Sequence, residues 1–170
     1  MDITDILCPG DLLLYRPKKG SIFGHLIAIK TWSAISHCEV YLGGGKSAAS
    51  RDGVGVGRYP VRASELAYVL RPLAPPLDWS AYAAWFKTVD GSGYDFFGLL
   101  RFVWMKSIGT GDNGKMFCSE FCVRAYRMLG MEPFTAVVDA DAVAPCNFLL
   151  SSKFAIVATP TSLASTLVPI

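Results

Sequence analysis

Hydrophobic and polar positions alternate most clearly between Ser36 and Leu42, where Cys38, Val40 and Leu42 share one side of an extended chain. His37, Glu39 and Tyr41 then share the other, so the segment predicts a strand with one apolar and one functionalised face. The neighbouring pattern extends this into a small antiparallel sheet. Leu12 to Tyr15, entered through Gly10-Asp11 and closed by Pro17, reads as a strand, and Gly43-Gly44-Gly45 turns the chain into another over Ser47 to Ser50. Asp52-Gly53 is a hairpin signal leading to Val54 through Tyr59, and Tyr68 to Arg71 is a further strand. The apolar run from Ser21 to Trp32 has mixed periodicity and is read as a short helix.

Beyond Pro75-Pro76 the period becomes helical. Asp78 is placed to cap an amphipathic helix running to about Val89, with Trp79, Tyr82, Trp85 and Phe86 on its apolar side. Gly91-Ser92-Gly93 breaks it, and Tyr94 to Trp104 predicts a second, more apolar helix. After a turn at Asp112-Asn113-Gly114, Phe117, Phe121, Cys122, Ala125, Met128 and Leu129 recur at helical spacing and define a third. A turn after Pro145 and a strand from Phe154 to Val157 follow. The class expected is α+β, with one domain over residues 1–159 and a loose Ser/Thr/Pro-containing tail over 160–170.

Composition narrows the function classes. The 170 residues are 52% hydrophobic and 18% charged, which suits a packed core and argues against disorder. A net charge of +2 with no block of like charges excludes an electrostatic nucleic-acid surface. The first residues carry two acids and no basic region before an apolar run, so no secretory leader is expected, and apolar stretches are too short for a transmembrane segment. Cytoplasmic synthesis is the default. The five cysteines are odd in number and form no Cys-x-x-Cys pair, so neither a disulfide framework nor a zinc site is expected, and no cofactor is implied.

One cysteine stands apart from ordinary packing. Cys118 falls at the start of the third predicted helix, where free N–H groups and the helix dipole favour a thiolate and would stabilise an oxyanion formed on attack. Cys122, one turn later, fits the apolar face. His37 supplies an imidazole able to take a thiol proton, while His25, in the apolar segment, reads as packed or surface. Glu39 lies on the His37 face about 6–7 Å along the strand, as an orienting carboxylate or a solvated one, and Ser47 and Ser50 are rivals for that role. Gly45-Lys46-Ser47 is not a phosphate loop, because Val40 stands where the first glycine is needed and a strand follows.

Read in order, these pieces carry a resemblance. Gly-Asp-Leu-Leu-Leu (10–14), Ser-His-Cys-Glu-Val-Tyr-Leu-Gly (36–43), Ala-Ser-Arg-Asp-Gly-Val-Gly-Val (49–56), Gly-Ser-Gly-Tyr-Asp-Phe-Phe-Gly (91–98), Phe-Cys-Ser-Glu-Phe-Cys (117–122) and Ala144-Pro145 resemble the YiiX-like permuted branch of the NlpC-type cysteine peptidase superfamily. The likeness spans Pro9 to Val157. It implies a circularly permuted papain-like fold, a small antiparallel sheet or barrel packed on helices, with the histidine strand preceding the nucleophile helix. His37 then matches the family histidine and Cys118 the family nucleophile, while Ser119 and Glu120 would support the helix start. The family's third polar group falls near Ala48-Ala49 here, so Glu39 is assigned that role. Tyr41 and Tyr94 are the candidate oxyanion or substrate-binding hydroxyls.

The resemblance implies hydrolysis of amide bonds, above all in peptidoglycan peptides, with a lipid acyl hydrolase or acyltransferase as the alternative. The Ser-Arg-Asp-Gly-Val stretch is similar to phage and prophage proteins, which would bring virion association and phage structural partners. A second class is a non-catalytic phage assembly module that keeps the fold without the reaction. Retention of both Cys118 and His37 favours the enzyme.

Overall fold

The computed structural model describes residues 5–18, 20, 22–73, 77–95 and 115–159. The expected second helix from residue 96 onward, the turn at 112–114 and the tail from 160 lie outside them. Six strands are assembled: β1 (Leu12–Tyr15), β2 (His37–Gly43), β3 (Lys46–Arg51), β4 (Gly55–Pro60), β5 (Leu66–Pro72) and β6 (Phe154–Ala158). Their order across the sheet is β4-β3-β2-β1-β5-β6, with every pair antiparallel. Among the described residues, three helices, α1 (Ile22–Lys30), α2 (Trp79–Val89) and α3 (Cys118–Met128), and three short 3-10 turns accompany the sheet in an α+β fold.

The local signals explain most of these elements. Asp78 caps α2 by accepting from the Ser80 and Ala81 N–H groups, both at 3.0 Å. The Gly43 to Gly45 turn, all three residues at positive φ, closes β2 onto β3 so that Tyr41 faces Ser47 and Val40 faces Ala48. At Gly55, φ is 95°, and a Cβ there would sit 2.2 Å from the Ser92 carbonyl oxygen. That close approach lets the Val56 N–H bond Ser92 at 2.8 Å and brings the segment before Tyr94 onto β4.

One local expectation changes in kind. The alternation in β2 predicts one buried and one functionalised face, yet Cys38, Glu39, Val40 and Tyr41 are all buried. β2 lies inside the sheet between β1 and β3, with α3 against one side. Leu12, Leu14, Cys38 and Val40 join Phe86, Phe121 and Tyr126 in the larger core, while Leu13, Tyr15 and Tyr41 join Leu66 and Val69 in a second cluster. Residues that alternate along β1 and β2 therefore serve two cores. Among the described residues no helix is long and apolar enough to cross a membrane.

Candidate active site

Cys118 is the first residue of α3, directly after the N-cap Phe117. The first intrahelical bond shown there runs from the Phe121 N–H to the Phe117 carbonyl at 3.0 Å, so the Cys118 N–H belongs to the turn that lacks helical partners. Two contacts fix the entry to this helix. Ser50 Oγ donates to the Met116 carbonyl at 2.6 Å, and the Asp95 N–H donates to the same oxygen at 3.3 Å. Tyr94 forms a parallel bridge with Met116, adding a third strand-like tie.

Ser119 and Glu120 sit where they brace that start. Ser119 Oγ donates to the Val143 carbonyl at 2.5 Å. Glu120, third in the helix, accepts from the Phe117 N–H in the manner of a capping box. Its carboxylate is buried against Arg124 at 2.8 Å. Burial raises the Glu120 pKa to about 7, the Arg124 guanidinium opposing it. A folded value above the unfolded value of about 4.3 means that stability falls as pH rises from that value through 7. Glu120→Gln is therefore expected to gain melting temperature relative to wild type on going from pH 5 to pH 8, as thermal melts would show.

The imidazole of His37, which opens β2, lies between two partners. Its Nε2 is 2.9 Å from Glu39 Oε1, and it also hydrogen-bonds the Cys118 side chain. Glu39 is fully buried and its carboxylate is crowded with donors. Arg51 takes it with a fork, Nε to Oε1 at 2.8 Å and Nη2 to Oε2 at 3.1 Å. Ser47 Oγ donates to Oε2, and Arg62 Nη2 approaches Oε1 at 3.4 Å. Burial alone would raise a carboxyl pKa, but these partners, His37 first and Arg51 next, hold Glu39 far below the usual range.

The protonation of the pair departs from the expectation of a ready thiolate. Contact with the Cys38 thiol and burial push Cys118 well above an ordinary thiol, outweighing the attraction of His37. Burial pulls His37 down, but Cys118 and Glu39 overcome it and raise the imidazole to about 9. The coupled pair thus keeps its protons to higher pH than a free imidazole and thiol would. The neighbour of Cys118 decides this outcome, since Cys38, Cys118 and Cys122 lie together in the core.

The structure therefore brings His37, Glu39 and Cys118 together, and Tyr94 with them, since the Cys118 charge acts on its buried hydroxyl. Tyr41 goes elsewhere. Its hydroxyl accepts from the Gly45 N–H at 3.1 Å, at the far end of β2 from His37, and its ring packs in the second cluster. That corrects its expected place at an oxyanion. Ser47 and Ser50, rivals for the orienting role, instead hold Glu39 and the Met116 carbonyl, and His25 is exposed. Ala48 and Ala49 are buried and offer no polar group. Arg51, Arg62 and Cys38 were not anticipated. The first was within reach of the sequence: with Val40 opposite Ala48, Ser47 and Arg51 fall on the Glu39 face of the next strand.

A cavity of about 530 Å3 lies elsewhere, lined by Trp85, Arg124, Arg127, Met128 and Asp139 near the end of α3. Its arginines are already paired, with Glu120 and Glu132. Among the described residues no three His, Cys, Asp or Glu side chains are grouped to hold a metal ion. The chain matches no protein-family model and no curated protein sequence.

Proposed function

We propose that this chain is a cysteine hydrolase of the circularly permuted papain-like type, acting on amide bonds with Cys118 as nucleophile and His37 as its base. The observation that carries the reading is the placement of one imidazole between a buried, ionised Glu39 and a thiol at a helix start. Cys118 Sγ bonds the substrate carbonyl carbon as its proton passes to His37. The oxyanion forms beside the free N–H groups of the first turn of α3, with the Tyr94 hydroxyl close by. His37 then protonates the departing amine as the carbon–nitrogen bond breaks, leaving a thioester on Cys118. Water, deprotonated by His37, attacks the thioester carbon; the carbon–sulfur bond then breaks, the proton on His37 returns to Cys118 Sγ, and the acid leaves. Glu39 stabilises the imidazolium in both halves of the cycle. Peptidoglycan peptides are the favoured substrate class, in keeping with a phage or virion-associated role.

A p-nitrophenyl ester tests the chemistry before a natural substrate is known. Intact-mass measurement and peptide mapping should find the acyl group on Cys118, and His37→Ala should reduce its accumulation rate by about 10²–10⁴-fold. Acylation spread over all five cysteines, or indifferent to His37→Ala, would sink the reading. A non-catalytic assembly module is the second reading. It is favoured by two observations: Cys118 is 1% exposed, and its thiol is pushed up by Cys38.

A further inference from the structure

The Ser-Arg-Asp stretch at 50–52 is not used by the proposed reaction, yet it adjoins the site at the end of β3. Ser50 holds the carbonyl before the nucleophile helix, and Asp52 acts electrostatically on His37. Between them, Arg51 turns to the other face of β3 and reaches Glu39. We propose that Arg51 is a positioning residue for the reacting pair, holding the Glu39 carboxylate in place against the His37 ring. The assignment rests on the reading of His37 and Cys118 as that pair.

Three features distinguish Arg51 from its neighbours. Among the described residues it alone grips both carboxylate oxygens, a bidentate geometry that fixes orientation as well as charge. Its own position is set by Nη2 donating to the Pro60 carbonyl at 3.0 Å and by its guanidinium lying 4.3 Å from the Tyr59 ring centroid. Arg62, by contrast, is tied to Glu65 at 2.7 Å and only approaches Glu39. Among the described residues, the titratable and charged groups acting on His37 and Glu39 are Tyr15 from β1, Cys38 of β2 itself, Arg51 and Asp52 at the end of β3, Tyr59 from β4, Arg62 beyond it, and Cys118 and Cys122 from α3. Of the two arginines among them, Arg51 makes the shorter contacts to the carboxylate. A desolvated carboxylate without its fork would take up a proton or turn away, and His37 would lose the partner that stabilises its charged form.

The sign of the change in His37 separates positioning from simple electrostatics. Deleting a cation while Glu39 stays ionised and in place would make His37 easier to protonate. Losing the Glu39 contact makes it harder. The chain has two histidines, and the exposed His25 serves as an internal reference in an NMR titration of the imidazole signals.

In Arg51→Met, the His37 pKa is expected to fall by about 1 pH unit from wild type while His25 does not move. Arg51→Lys, which keeps the charge and loses the fork, should fall by less. If Arg51→Met fails to fold, Arg51→Lys and Ser47→Ala, which removes a single Oε2 donor, carry the test with smaller falls. An unchanged or raised His37 pKa in the folded variants would overturn the proposal. This readout needs no turnover. A falling His37 pKa in a protein that never acylates Cys118 would support the positioning role and refute the hydrolase, whereas acylation with an unmoved His37 would do the reverse.

Discussion

Glu39→Ala is expected to lower the unfolding free energy by about 3–5 kcal/mol, the cost of breaking a buried charge pair from one side. The carboxylate has no solvent exposure and serves His37, Ser47, Arg51 and Arg62 at once. Removing it leaves the Arg51 and Arg62 guanidinium groups facing each other across a void. Glu39→Gln keeps the volume and one acceptor oxygen, so it should cost less and preserve the fold for kinetics. Urea denaturation of both variants at neutral pH provides the comparison. The pH dependence follows from the same site. A carboxyl held below its unfolded value contributes stability that is fully present above about pH 4.3 and lost as pH falls further. Wild type should therefore show an acid loss of stability that Glu39→Gln lacks. An equal acid slope in both would place the acid sensitivity elsewhere.

Cys38→Ala is expected to accelerate alkylation of Cys118 by iodoacetamide at pH 7. Contact with the Cys38 thiol is the first cause of the raised Cys118 pKa, ahead of burial. Each unit by which that value falls increases the thiolate population about tenfold, and the rate follows it, tempered by the lower nucleophilicity of a less basic sulfur. Wild type should label slowly at pH 7 and faster as the pH rises toward the raised Cys118 value. Peptide mapping keeps the measurement specific, since Cys122 is buried with its own value raised by burial, and the exposed Cys8 is read as a separate peptide. A Cys118 rate that Cys38→Ala leaves untouched would show that burial governs the thiol. The ester-acylation rate should follow the same alkaline rise, because a protonated imidazole cannot accept the thiol proton.

Much of this arrangement was legible along the chain because its signals are local. Alternation put His37 and Glu39 on one strand face, a hairpin signal placed β3 beside β4, and Asp78 and helical spacing placed α2. Cys118 at the head of α3 followed from the same spacing after a Gly-rich stretch. What those signals could not show was the covering of β2. Whether a face is solvated depends on which distant segments pack on it, and β1, β5 and β6 are joined by pairings between remote parts of the chain. That is why Glu39, open to a solvated reading, became a buried anion, and why its arginines come from 12 and 23 residues away.

The tyrosines divide for the same reason. Tyr41 shares the His37 face by periodicity, but the turn at Gly45 takes its hydroxyl, whereas Tyr94 reaches Cys118 through pairing with Met116. Residue order and period singled out His37, Glu39 and Cys118 and the elements that present them. Tertiary packing settled their charge states, because burial and the contacts of Cys38, Arg51 and Arg62 act through space between segments that the local pattern leaves unconnected.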